Sequence, residues 1–157
     1  MQISTFVVNN EMFALPSFQV EEFFRTMPMT RVFGVDRRID GLVNIRGRTA
    51  VVINMRRCLG IPPRGLNETS EMILLETASG LVAEARDLGL FAYEEPLVLL
   101  VDSVSHIHTL DGDEIHPPPA NTDKPFVDGV VHTEKHYFTM LSVRKLVDAI
   151  LEVQSIA

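Results

Sequence analysis

One cysteine, Cys58, stands in 157 residues, so no intrachain disulfide can form and packing alone must hold the fold. Tryptophan is absent and tyrosine occurs only twice, leaving nine phenylalanines to carry most of the aromatic weight. Basic residues are scarce against acidic ones, 14 to 21, for a formal net charge of -7. A chain of that sign repels phosphate backbones and anionic lipid, which disfavours a nucleic-acid or membrane-surface role. No apolar run approaches the ~18 residues that a membrane helix needs; Leu97 to Val101 is far too short. The start, MQISTFVVNN, lacks the basic residues and long apolar stretch of a signal peptide, so the expected location is the cytoplasm. Catalytic signatures are missing too. There is no Gly-x-Ser-x-Gly, no phosphate-cradling Gly-x-x-x-x-Gly-Lys and no dinucleotide fingerprint, so neither an enzyme nor a cofactor is expected.

What is present is β-rich. Hydrophobic residues make up 46% of the chain, enough for a real core in one domain or two very small fused ones. Strands are expected over Ile3–Val8 and Met12–Leu15 across an Asn9-Asn10 turn, then over Thr49–Met55, Glu71–Thr77 and Leu81–Ala85. Leu97–Thr109 reads as one long strand, bent near Asp102-Ser103, and Phe126–His132 pairs with His136–Leu141. Ser17 is placed to cap a short helix over Phe18–Phe24, and Arg56–Leu59 reads as a single helical turn closed by Gly60. The convincing helix is the last, Ser142–Val153, where Val143, Leu146, Val147, Ile150 and Leu151 recur at helical spacing. Many short strands with frequent turns predict small barrels or a sandwich.

The chain also repeats itself. Asp40-Gly41-Leu42-Val43 matches Asp128-Gly129-Val130-Val131 at an offset of 88 residues. Carried on without a gap, that offset sets Ile53-Asn54-Met55-Arg56-Arg57 on Leu141-Ser142-Val143-Arg144-Lys145. Upstream, Phe13–Phe18 sits loosely on Leu99–Val104. Two related β-units are therefore expected, roughly residues 1–68 and 69–157, with each Asp-Gly pair read as a turn. Where the first copy has Asn44-Ile45-Arg46-Gly47-Arg48, the second has His132-Thr133-Glu134-Lys135-His136. The first version is not needed to build the unit, and a guanidinium beside apolar surface suits recognition of another protein.

FVVNNEMFALPSFQVEEFF and MTRVFGVDRRIDGLVNIRGRTAVVINMRRCLG resemble the first half of the CheW-like domain of bacterial chemotaxis coupling proteins. LVLLVDSVSHI, IHPPP, FVDGVV and YFTMLSVRKLV sit in the order of its second half, so the resemblance runs from about Phe6 to Leu151. It implies a mostly β fold of two five-stranded SH3-like barrels sharing a hydrophobic core, with a C-terminal helix. It also implies a non-catalytic adaptor that couples the cytoplasmic tips of chemoreceptors to the regulatory domain of a chemotaxis-type histidine kinase. The alternative is a regulator of a related pathway controlling pili, gliding or development, binding a kinase or another signalling protein without a receptor. Matched residue by residue, the receptor groove would involve Val20, Glu22, Leu42, Asn44, Ile45 and Arg46, with Gly47 allowing close backbone approach. The family usually has aspartate where Asn54 and Ser142 stand, and its segment corresponding to Ala78–Glu95 is shorter.

Other candidates are weaker. Phe23 and Phe24 read as plugs of the barrel. His106 and His108 share one strand face, but a metal would need a third ligand such as Asp102, His116 or His132, so no metal site is expected. Asp111, Asp113 and Glu114 lack the spacing of a calcium loop. A single-strand nucleic-acid binder would need a basic groove with exposed aromatics, which this acidic chain does not offer.

Overall fold

The computed structural model of the protein describes residues 1–65, 69–111, 115–120, 126–133 and 135–152. Asp113, Glu114, Glu134 and Val153, named above, lie outside those residues.

β1 (Gln2–Val8) and β2 (Glu11–Pro16) form a hairpin whose two loop residues, Asn9 and Asn10, both have positive φ, 51° and 64°. Asparagine tolerates that left-handed backbone, and the tight turn it makes matches the twist of the strands. A 3-10 turn over Ser17–Gln19 then carries the chain into β3 (Val20–Arg25), where a helix had been predicted. Ser17 caps nothing; its hydroxyl is hydrogen-bonded with that of Ser4 at 2.9 Å. Val20, Phe23 and Phe24 instead take an extended form that pairs antiparallel with β6 (Glu71–Leu75), as β-branched and aromatic residues prefer.

β4 (Ile39–Ile45) and β5 (Arg48–Asn54) make the second hairpin, followed by α1 (Met55–Cys58). The expected strand over Leu81–Ala85 is absent. Ala83–Asp87 is a short helix, α2, rich in good helix formers, with Ala85 buried in it and Leu81 buried just before it. β7 (Leu97–Val101) and β8 (Ser103–Thr109) are two strands rather than one, divided at Asp102. β9 (Ile115–His116), β10 (Val127–His132) and β11 (Tyr137–Leu141) precede α3 (Val143–Val147), which continues as a π-turn over Asp148–Glu152.

These strands form two sheets, ordered β8-β1-β2-β11-β10-β9 and β3-β6-β7-β5-β4. Neither sheet is drawn from one half of the chain alone. β1 and β2 join the strands of the second half, while β6 and β7 join those of the first. The halves are joined by the parallel pairs β2–β11 and β5–β7 and by the antiparallel pairs β1–β8 and β3–β6. Apart from β9, the two orders are the same once each half has exchanged its leading hairpin with the other.

Burial follows this exchange. Val52, Met72, Leu74 and Val98 face a core private to the five-stranded sheet, whereas Ile53, Ile73, Leu75, Leu97, Leu99 and Val101 alternate to the opposite side. There they meet Phe6, Phe13, Leu15 and the α3 residues Val143, Leu146 and Val147 in a core shared by both sheets. Ile3, Ala14, Val131, Phe138 and Met140 line the private core of the six-stranded sheet. Strands buried on both faces lose the polar alternation of a surface strand, which is why Met72–Leu75 and Leu97–Val101 read as unbroken apolar runs.

The Asp-Gly pairs are bulges inside strands rather than turns, with register shifts between Ile39 and Gly41 and between Val127 and Gly129. Each glycine lies under crossing backbone. A Cβ on Gly41 would come within 2.4 Å of the Thr30 carbonyl oxygen, and one on Gly129 within 2.7 Å of that of His116. Both helix starts are capped although aspartate is missing from each. Asn54 Oδ1 accepts from the amides of Arg56 and Arg57 at 3.0 and 3.3 Å, and Ser142 Oγ accepts from that of Lys145 at 3.1 Å.

Candidate protein-binding site

The β4–β5 turn is a two-residue loop in which Ile45 pairs with Arg48 and both loop residues have positive φ, 51° at Arg46 and 82° at Gly47. Such loops favour Asn-Gly or Asp-Gly, because few other residues accept a left-handed backbone. Arginine at the first position is therefore held against its own backbone preference. Asn44 closes the turn, its Oδ1 accepting from the Gly47 amide at 2.9 Å. Nothing lies within 4 Å of where a Gly47 Cβ would be, so the space over the turn is open.

From this turn two arginines reach the edge strand β3. Arg46 pairs with Glu22 and lies over the Phe24 ring, its Cζ 5.7 Å from the centroid. Arg48 Nη1 donates to both carboxylate oxygens of Glu21 at 3.1 and 3.3 Å. The Arg46 hydrogen bond, with the charge of Arg46, holds the Glu22 carboxyl below the usual carboxylate value against the opposing effect of desolvation, and Glu22 raises Arg46 in return. Both side chains are well exposed, 60% and 40%, so the pair contributes little to folding and can be exchanged for a partner's charges. With the backbone bridge between Thr30 and Leu42, these contacts bring together the two edges, β3 and β4, of the five-stranded sheet.

Of the residues anticipated from the sequence, Glu22, Asn44, Arg46 and Gly47 come together at this end of the sheet. Val20 adjoins them on β3, half-buried against the shared core. Leu42 lies further along β4, where Thr30 crosses it. Ile45 is 4% exposed inside the private core, so it supports the turn and presents no side chain to a partner. Phe24 packs on that core as expected, but Phe23 does not plug it; with 37% of its surface accessible it belongs to the outer face of β3. Glu21, Phe23 and Arg48 were missed as members of this surface. Their signal was the alternation of Val20–Arg25, legible only once the segment is read as a strand.

The other candidates resolve differently. Asp102, offered as a possible third metal ligand, is committed elsewhere: it accepts a forked pair of bonds from Arg56, both 2.8 Å, and one from the Asn9 amide at 2.8 Å. Burial raises its pKa, but the Arg56 and Asn9 bonds, with the charges of Arg56 and Arg64, carry it below the usual carboxylate value. The rings of His106, His108 and His136 are spaced 6.4 Å apart in sequence along a row beside Phe138. Among the described residues no three His, Cys, Asp or Glu are placed to hold a metal ion. Burial pushes the Cys58 thiol up to about 12, which leaves it protonated and unreactive.

The 78–95 excursion is folded down rather than free. Ala78 and Tyr93 are joined by a backbone hydrogen bond of 2.8 Å, Gln19 Nε2 donates to the Phe91 carbonyl at 2.7 Å, and Phe91 and Tyr93 pack on the shared core. Among the described residues, no helix is long and apolar enough to cross a membrane.

Comparisons with known proteins agree with this architecture. A chemotaxis protein CheW of Bacillus subtilis (strain 168) is 24% identical over 147 residues, covering 91% of this chain and 84% of that protein. The crystal structure of the scaffolding protein TtCheW from Thermoanaerobacter tengcongensis superposes with a TM-score of 0.75 at 26% identity, over 90% of this chain and 88% of that one. The profile of the CheW-like domain matches residues 2–151. The chain belongs to the CheW-like domain family.

Proposed function

We propose that this protein is a non-catalytic adaptor of chemotaxis-type signalling, acting in the cytoplasm to couple chemoreceptor tips to the regulatory domain of a histidine kinase. The surface formed by β3 and the β4–β5 turn is the receptor-facing site. One observation carries this reading: Arg46 occupies a left-handed turn position that favours asparagine or glycine, so its side chain is retained for something other than the turn. A guanidinium at an open turn, already engaged with an exchangeable carboxylate, can pass its forked hydrogen bonds to a partner's carboxylate or carbonyl groups. Val20 and the outer face of β3 supply apolar area beside it.

The test is Arg46→Glu, measured for affinity to a receptor cytoplasmic hairpin. Affinity should fall by about tenfold or more, as for arginines central to an interface. The unfolding curve should keep its midpoint, since the Arg46–Glu22 pair is exposed. Undiminished affinity in the variant would remove the site assignment.

A further inference from the structure

The five-stranded sheet has a second open end. Strands of six or seven residues separate it from the Arg46 turn, a distance of about 20 Å. A cleft of about 1050 Å³ opens there, reached by the end of β3, the segment that follows it, the start of α1 and the β7–β8 crossing. That volume is at the upper limit for a small-molecule pocket. Five arginines line the cleft against three acidic residues, on a chain whose net charge is -7.

The acidic residues are already engaged. Asp102 holds Arg56 and, at 3.2 Å, Arg64; Asp40 holds Arg57 at 3.2 Å. Glu71 stands opposite Arg25 in the β3–β6 ladder, but its carboxylate accepts from the Val104 amide at 3.0 Å. Among the described residues, Arg25 and Arg31 have no ion-pair partner and both are exposed. Between them run Met27, Pro28 and Met29, which line the cleft with apolar, deformable side chains. The repeat does not require Arg31. Thr30 and His116 do the same work over the two bulge glycines, and the residue after His116 is Pro117 where the first copy has Arg31.

We propose that this cleft is a docking groove for an acidic peptide segment of a partner protein, one that alternates carboxylates with apolar side chains. Two exposed guanidinium groups flanking a methionine-lined wall match carboxylates on either side of an apolar residue. A free anion would leave the apolar wall unused. A nucleic acid would bring many phosphates toward a strongly acidic molecule. The groove gives the adaptor a second surface at the end opposite Arg46. It does not depend on the adaptor role, because its test uses neither receptor nor kinase.

The probe is a short capped peptide alternating Leu and Glu, titrated into the full-length protein by amide NMR. The controls are the matching Leu/Gln peptide, a short single-stranded oligonucleotide and inorganic phosphate. The Leu/Glu peptide should bind and shift the amides of Thr26, Met27, Met29 and Arg31, with affinity that falls as salt rises. The double substitution Arg25→Gln, Arg31→Gln should weaken it about tenfold, the effect of losing two charge-assisted contacts. The variant's remaining spectrum should superpose on that of the parent, because both side chains lie on the surface. No binding at millimolar peptide, equal affinity in the variant, or equal affinity for the Leu/Gln peptide would overturn the proposal. So would an oligonucleotide or phosphate that binds as tightly as the peptide.

Discussion

The stretch β4-β5-α1 and the stretch β10-β11-α3 are two versions of one design, and they differ in informative places. Both carry a bulge at an Asp-Gly, a glycine beneath crossing backbone, and a capping side chain at the same relative position, Asn54 or Ser142. Both pair the strand aspartate with the second basic residue of the helix start: Arg57 with Asp40 at 3.2 Å, and Lys145 with Asp128 at 3.6 Å. The first basic residues diverge. Arg56 is bound to buried Asp102, whereas Arg144 lies over the Phe91 ring, 4.5 Å from its centroid. The hairpin turns diverge as well, with Arg46-Gly47 in the first copy only. Shared features are those that folding demands twice; the unshared ones tie the two copies together or face outward.

The sharpest way to break this symmetry is at Asp102. Its side chain is 6% exposed and serves Arg56, Arg64 and the Asn9 amide at the point where the chain crosses between sheets. Asp102→Ala should cost about 3–5 kcal/mol in a urea unfolding measurement, since it strips the carboxylate from partly buried arginines. Arg144→Ala, at the equivalent helix position, should cost far less, because only packing against an aromatic ring is lost. The same contrast appears in acid. The folded-state pKa of Asp102 is depressed from the ordinary 3.8, so its contribution is complete above that value and disappears as pH falls through the lower, folded value. Asp102→Asn should therefore lose stability at neutral pH and show a shallower acid limb than the parent.

Next come the glycines. Gly41→Ala and Gly129→Ala should each destabilise by about 1–3 kcal/mol, because the added methyl meets a carbonyl oxygen of rigid backbone in both cases. A large effect at one site alone would break the equivalence of the two copies. The caps should give the smallest difference. Asn54→Ala and Ser142→Ala should cost about 1 kcal/mol each. Asn54 should be the more costly, since its amide also donates to Asp40 at 2.9 Å.

The repeated hairpins, their helix starts and the bend near Asp102 were legible in the sequence because they rest on local signals. The swap of leading hairpins was not. Nothing in Phe13-Ala14 marks it for parallel pairing with Thr139-Met140, 126 residues away; the pairing goes with burial of Phe13 in the shared core and of Ala14 and Met140 in the private core of the six-stranded sheet. The Phe18–Phe24 and Leu81–Ala85 misreadings have the same origin. In the first, pairing with β6 overrides a plausible cap; in the second, a short helix over Ala83–Asp87 buries Ala85. At the proposed binding site, the odd residue was legible in Arg46 as the part folding did not explain. Its carboxylate partner Glu22 was not, because that pairing depends on where β3 runs.

Under the proposed function, Arg46 serves recognition and not the fold. Arg46→Asn tests it most directly, since asparagine suits the left-handed turn position while removing the guanidinium. Unfolding and affinity for a receptor cytoplasmic hairpin should be measured on the same preparation. The variant should be at least as stable as the parent and should lose about tenfold or more in affinity. A variant that binds as the parent does would contradict it.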